Sequence, residues 1–237
     1  MLRRRRRESD DQREPDDLVT RDTGGPGGQA ESARGPWDAA DDYPAEDRID
    51  CGSLQVPARE GFDVQLNVAP DQGPWVAVVR GESGMQIQAF AAPRSGGLWE
   101  EIRQEITGGV VSSGGSVREE DGPHGPELIA WVPVAQEGGQ PELQPVRFIG
   151  FDGPRWFLHG VISGPAARDR RLAEPFDDVF ADVVVVRGDY PAPPREQLEI
   201  RLPEDARQAL EAQFEQENPG WDLPNPFARG PEITETR

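Results

Sequence analysis

The sequence predicts an α+β fold: an antiparallel β-sheet with helices packed on one face, set between N- and C-terminal tails too polar to build a core of their own. Three observations carry this. Apolar residues alternate at period two through 61–92 and again through 116–163. The period lengthens to that of a helix twice, over 99–110 and 176–183. Hydrophobic residues make up only 35% of the chain, below the roughly 45% usual for a globular domain, so the core is concentrated in the middle. Because hairpins separate the helices, a doubly wound parallel sheet is the poorer reading.

Residues 1–47 open with a basic head, Arg3, Arg4, Arg5, Arg6 and Arg7, and continue into an acidic tract containing "GGPGGQ". With little apolar before Trp37, this segment cannot offset its ordering entropy and reads as a disordered charged tail. A nominal dinucleotide fingerprint, "GPGGQA", falls inside it with no preceding strand and is discarded.

A single domain is expected over 48–202. "GFDVQLNV" sets Phe62, Val64, Leu66 and Val68 against Asp63, Gln65 and Asn67, a half-buried strand. "PWVAVVR" and "GMQIQAFAA" follow at hairpin spacing. Trp99, Ile102, Ile106 and Val110 then mark one helix face, and "SSGGS" ends it. Strands resume with "SVREED", "PELIAWVPV", "PVRFIGF" and "RWFLHGVIS", the last two joined by a hairpin signal at Asp152-Gly153-Pro154. Phe176, Val179, Phe180 and Val183 signal a second helix with Pro175 in its first turn, running to Asp182 before a short extended exit. A proline-rich strap with little regular structure follows Arg187, and 203–237 holds a peripheral helix and a loose tail.

Composition narrows the function. The 44 acids against 25 basic residues, every one of them arginine, give a net charge of −19, which disfavours a general nucleic-acid binder. Nucleic acid remains a partner only through Arg3 to Arg7. The single cysteine, Cys51, rules out an intrachain disulfide and a cysteine-based zinc cluster. No stretch approaches the roughly 18 apolar residues that span a bilayer, and the chain reads as cytoplasmic. Two histidines and one distant cysteine leave no expected metal or cofactor. Asp177, Asp178 and Asp182 offer an all-oxygen cation site, but without a calcium-loop pattern they read as an exposed acidic helix face.

Chemistry has one obvious place to look. "AAPRSGGLWEEI", 91–102, runs from strand through glycine turn to helix start, and Arg94, Ser95, Gly96 and Gly97 would be the donors of an anion site. Glu100 and Glu101 oppose it, because they occupy the first helical turn. If Gly97 is the N-cap, Glu100 can reach back as half of a capping box. The structural reading is therefore preferred. His159 shares strand parity with Phe157 and Val161, but no serine elbow accompanies it; His124 reads as a loop residue. Trp156 and Phe157 point to opposite faces, so one is expected in the core and the other exposed. An exposed aromatic beside Arg147 or Arg155 would suit a partner contact. Arg155, Trp156 and His159 thus join the four corner residues as candidate contacts.

"CGSLQVP", "AFAAPRSGGLWEEIRQEI", "VRFIGFDGPRWFLHGVISGPA" and "DVVVVRGDYPAPPREQLEIRLPE" resemble, in order, the signature blocks of the actinobacterial domain-of-unknown-function 3710 family (DUF3710), and the arginine head with its acidic tract is similar too. The resemblance implies no catalytic residues. The element order also resembles the Mog1 and PsbP-like layout. Together these readings favour a non-enzymatic binding or assembly module acting through protein–protein contacts. The alternative is a factor of nucleotide or nucleic-acid metabolism with an anion site at the 94–97 corner.

Overall fold

A computed structural model describes residues 35–69, 73–134, 141–203 and 208. In chain order the elements are β1 (Trp37–Asp38), β2 (Arg48–Asp50), β3 (Leu54–Pro57), β4 (Asp63–Ala69), β5 (Gly73–Arg80), β6 (Ser83–Ala91), α1 (Leu98–Ser112), β7 (Ser116–Gly122), β8 (Gly125–Val134), β9 (Glu142–Gly153), β10 (Trp156–Ser163), a 3-10 turn (Pro165–Ala167), α2 (Arg170–Ala181) and β11 (Val184–Val185). The fold is α+β, as the alternating periods predict. Expectations for the arginine head and for most of the peripheral helix fall outside the described residues.

Seven strands form one antiparallel sheet in the order β4-β5-β6-β10-β9-β8-β7. A second sheet, β1-β11-β3-β2, pairs β1 with β11 in parallel and its other neighbours antiparallel. Trp37 N–H donates to Val183 O at 2.9 Å and Ala39 N–H to Val185 O at 3.0 Å, which ties residues before the expected boundary at 48 to the domain. The reason is local: a buried valine run needs a backbone partner on both sides.

The helices lie on opposite faces of the large sheet, a correction to the expectation of one face. Trp156, Leu158 and Ile162 point toward α2, where they pack with Phe176, Val179 and Phe180 and with Leu54, Val56 and Val185 of the small sheet. Phe157 points the other way, into Leu98 and Trp99 of α1, with Phe90, Phe148, Ile102 and Ile106 around them. Two adjacent large apolar residues on a central strand require cover on both faces. Gly150 allows the α1 side to close, since a Cβ there would lie 2.5 Å from Trp99 Cδ2.

Two boundaries also shift. The tight turn between β9 and β10 is Pro154–Arg155, because Gly153 pairs directly with Trp156. Arg155 takes φ 66° there, the positive value that follows proline in a type II turn. Helix α2 begins at Arg170, with the Asp169 side chain accepting from Arg171 N–H at 2.9 Å. Pro175 therefore lies inside the helix and not in its first turn. The buried stripe continues upstream of the proline through Ala173, three residues before Phe176.

The strap after β11 has little regular structure, as expected, but it is bound by its backbone. Beyond the β5 pairing, which ends at Val76 and Ile87, the outer edge of β6 is taken over by the strap. Arg195 N–H donates to Ala91 O, Ala91 N–H to Glu196 O, and Leu198 N–H to Ala89 O, each at 2.8 Å. Leu198 and Ile200, the strap's own apolar side chains, are buried.

Candidate functional site

The 91–102 corner has the glycine geometry of an anion cradle, but a carboxylate already occupies it. Gly96 and Gly97 take φ 66° and 84°, and Gly97 caps α1 without a side chain. Asp152, reaching across from β9, accepts from the Trp99 backbone N–H at 3.2 and 3.3 Å. A negative group therefore already lies where the helix dipole favours one. The half capping box does not form: Glu100 accepts from Arg103 and Gln104, and Glu101 from Arg195. Arg94 and Ser95 are exposed.

Arg155 joins this end of the sheet through its carbonyl, which accepts from Ala92 N–H at 3.0 Å and from Arg187 Nε at 3.1 Å. The other two candidate contacts lie elsewhere. Trp156 and Phe157 are both fully buried, which corrects the expectation that one is exposed. Trp156 Nε1 donates to Asp38 Oδ2 at 2.6 Å. His159 lies on the α1 face among the rings of Trp99, Phe148 and Phe157. It is half-buried, but its Nε2 is sealed from solvent without a hydrogen-bond partner. Burial pushes its pKa down to about 4, and with no carboxylate or hydroxyl on that nitrogen it is a neutral packing residue.

A second cluster, which sequence reading missed, lies on the α2 face. Arg147 is buried, with Nε and Nη2 donating to Glu127 Oε2 at 3.0 and 2.7 Å and Nη1 and Nη2 donating to Asp177 at 3.0 and 2.8 Å. Asp177 is therefore buried and ion-paired, not part of an exposed acidic face. His124 also enters: Nε2 lies 3.6 Å from Asp177 Oδ1, and its ring packs against Phe180 at 4.9 Å. Burial by itself would raise the Asp177 pKa, but His124 and Arg147 outweigh it and hold the carboxyl below its ordinary value. Burial would lower Arg147, and its two carboxylate partners raise it instead.

The signal for this cluster was parity. Arg147 alternates in phase with Ile149 and Phe151, Glu127 with Ile129 and Trp131, and Asp177 falls one turn after Ala173 on the buried stripe of α2. Charges of opposite sign at inward positions of three elements are a pairing signal.

Beside the network a groove of about 290 Å³ opens between the sheet and the start of α2, lined by Arg118, Glu120, Trp131, Arg147, Arg168 and Arg170 among others. Strand register builds its sheet side in rows. Arg118, Ile129 and Arg147 are directly opposed across β7, β8 and β9. Ser116, Trp131 and Pro145 form the next row, and Pro133 and Leu143 the one beyond. These outer rows face the same way as the groove. Trp131, Pro133 and Pro145 are half-buried, and Leu143 is 51% exposed.

Among the described residues no group of three or more His, Cys, Asp or Glu side chains could hold a metal ion, and no helix is long and apolar enough to cross a membrane. Cys51 is buried, which raises its thiol pKa to about 11. One family model, described as a protein of unknown function (DUF3710), matches residues 35–209. No curated protein and no solved structure matches.

Proposed function

The chain belongs to the DUF3710 family, a family of unknown function, and from that premise we propose that it is a non-enzymatic binding or assembly module acting through protein–protein contacts, with the groove and its apolar strip as the contact surface. One observation carries the reading: Trp131, Pro133, Pro145 and Leu143 line up on one sheet face, directly continuous with an arginine-lined groove. An apolar patch ending in a charged pocket is the usual anatomy of a recognition surface. The alternative, a nucleotide-linked factor binding phosphate at Arg94 to Gly97, has to displace Asp152 from the Trp99 amide.

The test is affinity capture of the full chain from its own cells beside a Leu143→Asp variant. Leu143 is exposed, so the fold tolerates the change. A partner recovered by the native chain and lost by the variant supports the reading. Recovery of the same proteins by both would remove the surface assignment, and no specific partner for either would remove the module.

A further inference from the structure

We infer that the groove is a receptor for a carboxylate side chain of an acidic partner segment, and that Glu120 fills the role of that side chain until the partner docks. The inference rests on the binding-module reading and names the chemistry its surface recognises.

Charge gives the first argument. In a chain of net charge −19, four arginines, Arg118, Arg147, Arg168 and Arg170, line this one groove; Glu127 and Asp177 neutralise Arg147, and Glu120 pairs with Arg118 and Arg170, which leaves Arg168 as the cation in excess. The first turn of α2 carries Arg170 and Arg171 and no acid. Asp169 already caps that helix start, so a further anion is drawn there by the arginines and not by an open helix end.

The donors then divide by availability. Arg147 is saturated by Glu127 and Asp177, so it forms a rigid floor with no donor left to offer. Arg118 Nη2 contacts Glu120 Oε1 at 2.6 Å, and Arg170 Nη2 contacts Glu120 Oε2 at 3.3 Å while also meeting Glu127 Oε1 at 2.5 Å. The Glu120 side chain is 31% exposed, so water and a second carboxylate can reach its two partners. Arg168, which ends the 3-10 turn just before α2, is exposed, and its guanidinium has no hydrogen bond or ion pair among the described residues. An incoming carboxylate meets Arg168 first and then competes with Glu120 for Arg118 and Arg170.

Size and surroundings select the source of the anion. At about 290 Å³ the groove lies at the lower limit of small-molecule sites, which run from about 300 to 1,000 Å³. It suits a side chain better than a whole cofactor. Trp131 forms one wall and leads onto Pro145, Pro133 and Leu143, so an acidic residue in the groove places neighbouring apolar residues of the same segment on the strip.

The experiment uses the full chain and a fluorescein-labelled peptide of alternating Leu and Glu, beside its Leu and Gln counterpart, read by anisotropy. The Glu peptide is expected to bind saturably and the Gln peptide not. Arg168→Ala weakens binding about tenfold, the scale of one charge-assisted hydrogen bond, with an unchanged melting temperature. Glu120→Gln strengthens it about threefold by releasing Arg118 and Arg170. That opposite sign is the specific mark of an internal competitor. Equal binding of the two peptides, no saturable binding, or a loss in Glu120→Gln would each overturn the inference. Inorganic phosphate bound saturably, with the same Arg168 dependence and no peptide binding, would show a free-anion site and overturn the partner assignment. Leu143→Asp leaves the groove untouched, so failure here with a captured partner there leaves the proposed function standing.

Discussion

Asp152 holds the start of α1: both of its carboxylate oxygens lie within hydrogen-bond distance of the Trp99 backbone N–H, at 3.2 and 3.3 Å. The contact joins the β9–β10 hairpin to a helix whose own N-cap is a glycine without a side-chain bond. Because the capping group comes from a distant strand, it fixes where the helix sits as well as where it starts.

Replacing Asp152 with Ala is expected to cost about 1 kcal/mol, the usual worth of a lost cap, read as a lower midpoint in chemical denaturation. Arg94→Ala, two residues before the glycines and exposed, is expected to leave the midpoint unchanged. A large loss in Arg94→Ala with none in Asp152→Ala would reverse the assignment of what stabilises this corner.

Gly150→Ala tests the close approach of α1 to the sheet. The added Cβ would lie 2.5 Å from Trp99 Cδ2 and 2.8 Å from Phe157 Cε2, both rings being buried. Overpacking of this kind costs about 1–3 kcal/mol. Thermal unfolding should show the loss together with a changed tryptophan emission; an unaltered melting temperature would mean the two layers can slide apart.

Arg147→Met removes the cation shared by Glu127 and Asp177 and leaves only Arg170 beside Glu127 and His124 beside Asp177, a loss of about 3 kcal/mol. Adding Glu127→Gln and Asp177→Asn to the same chain should recover a large part of it. Urea denaturation of the single and triple variants measures the difference. If the triple variant is no more stable than Arg147→Met, the coupling between these side chains is not what stabilises the site.

His159 makes stability depend on acidity. Its pKa falls from the ordinary 6.5 to about 4 in the fold, so between these values the unfolded chain binds a proton that the folded one does not. The contribution of His159 is therefore full above about pH 6.5 and is lost as pH falls toward about 4. His159→Phe should flatten that part of the stability profile. A variant whose decline from pH 7 to 5 matches the native protein's would show that histidine burial is not its source.

Most of the large sheet was legible because alternation is a local property. Met85, Ile87 and Ala89 announce their face whatever lies above them. What lies above is non-local, and here the reading stopped: the parity of Trp156 and Phe157 shows that they point apart, but only α1 and α2 in place show that both are covered. Pro175 masked the start of α2, since proline favours first turns and the true cap is Asp169. β1 has two residues, too few for any period. Of the site, the corner was recognisable as a turn, whereas Asp152 comes from beyond β8. Arg147, Glu127 and Asp177 lie on three different elements, and each by itself resembles an ordinary charged residue.

The parallel pairing of β1 with β11 sets a timetable for synthesis. Among the described residues Trp37 is one of the first to leave the ribosome, and its backbone partner Val184 follows more than a hundred residues later. The strap that completes the edge of β6 follows later still. Hairpins β4–β5–β6 and β7–β8–β9–β10 can form from neighbouring sequence as they emerge, but the small sheet closes only after nearly the whole domain has been translated. During that interval Leu54, Val56 and one face of β6 are uncovered together, so the nascent chain exposes apolar surface that the finished protein buries.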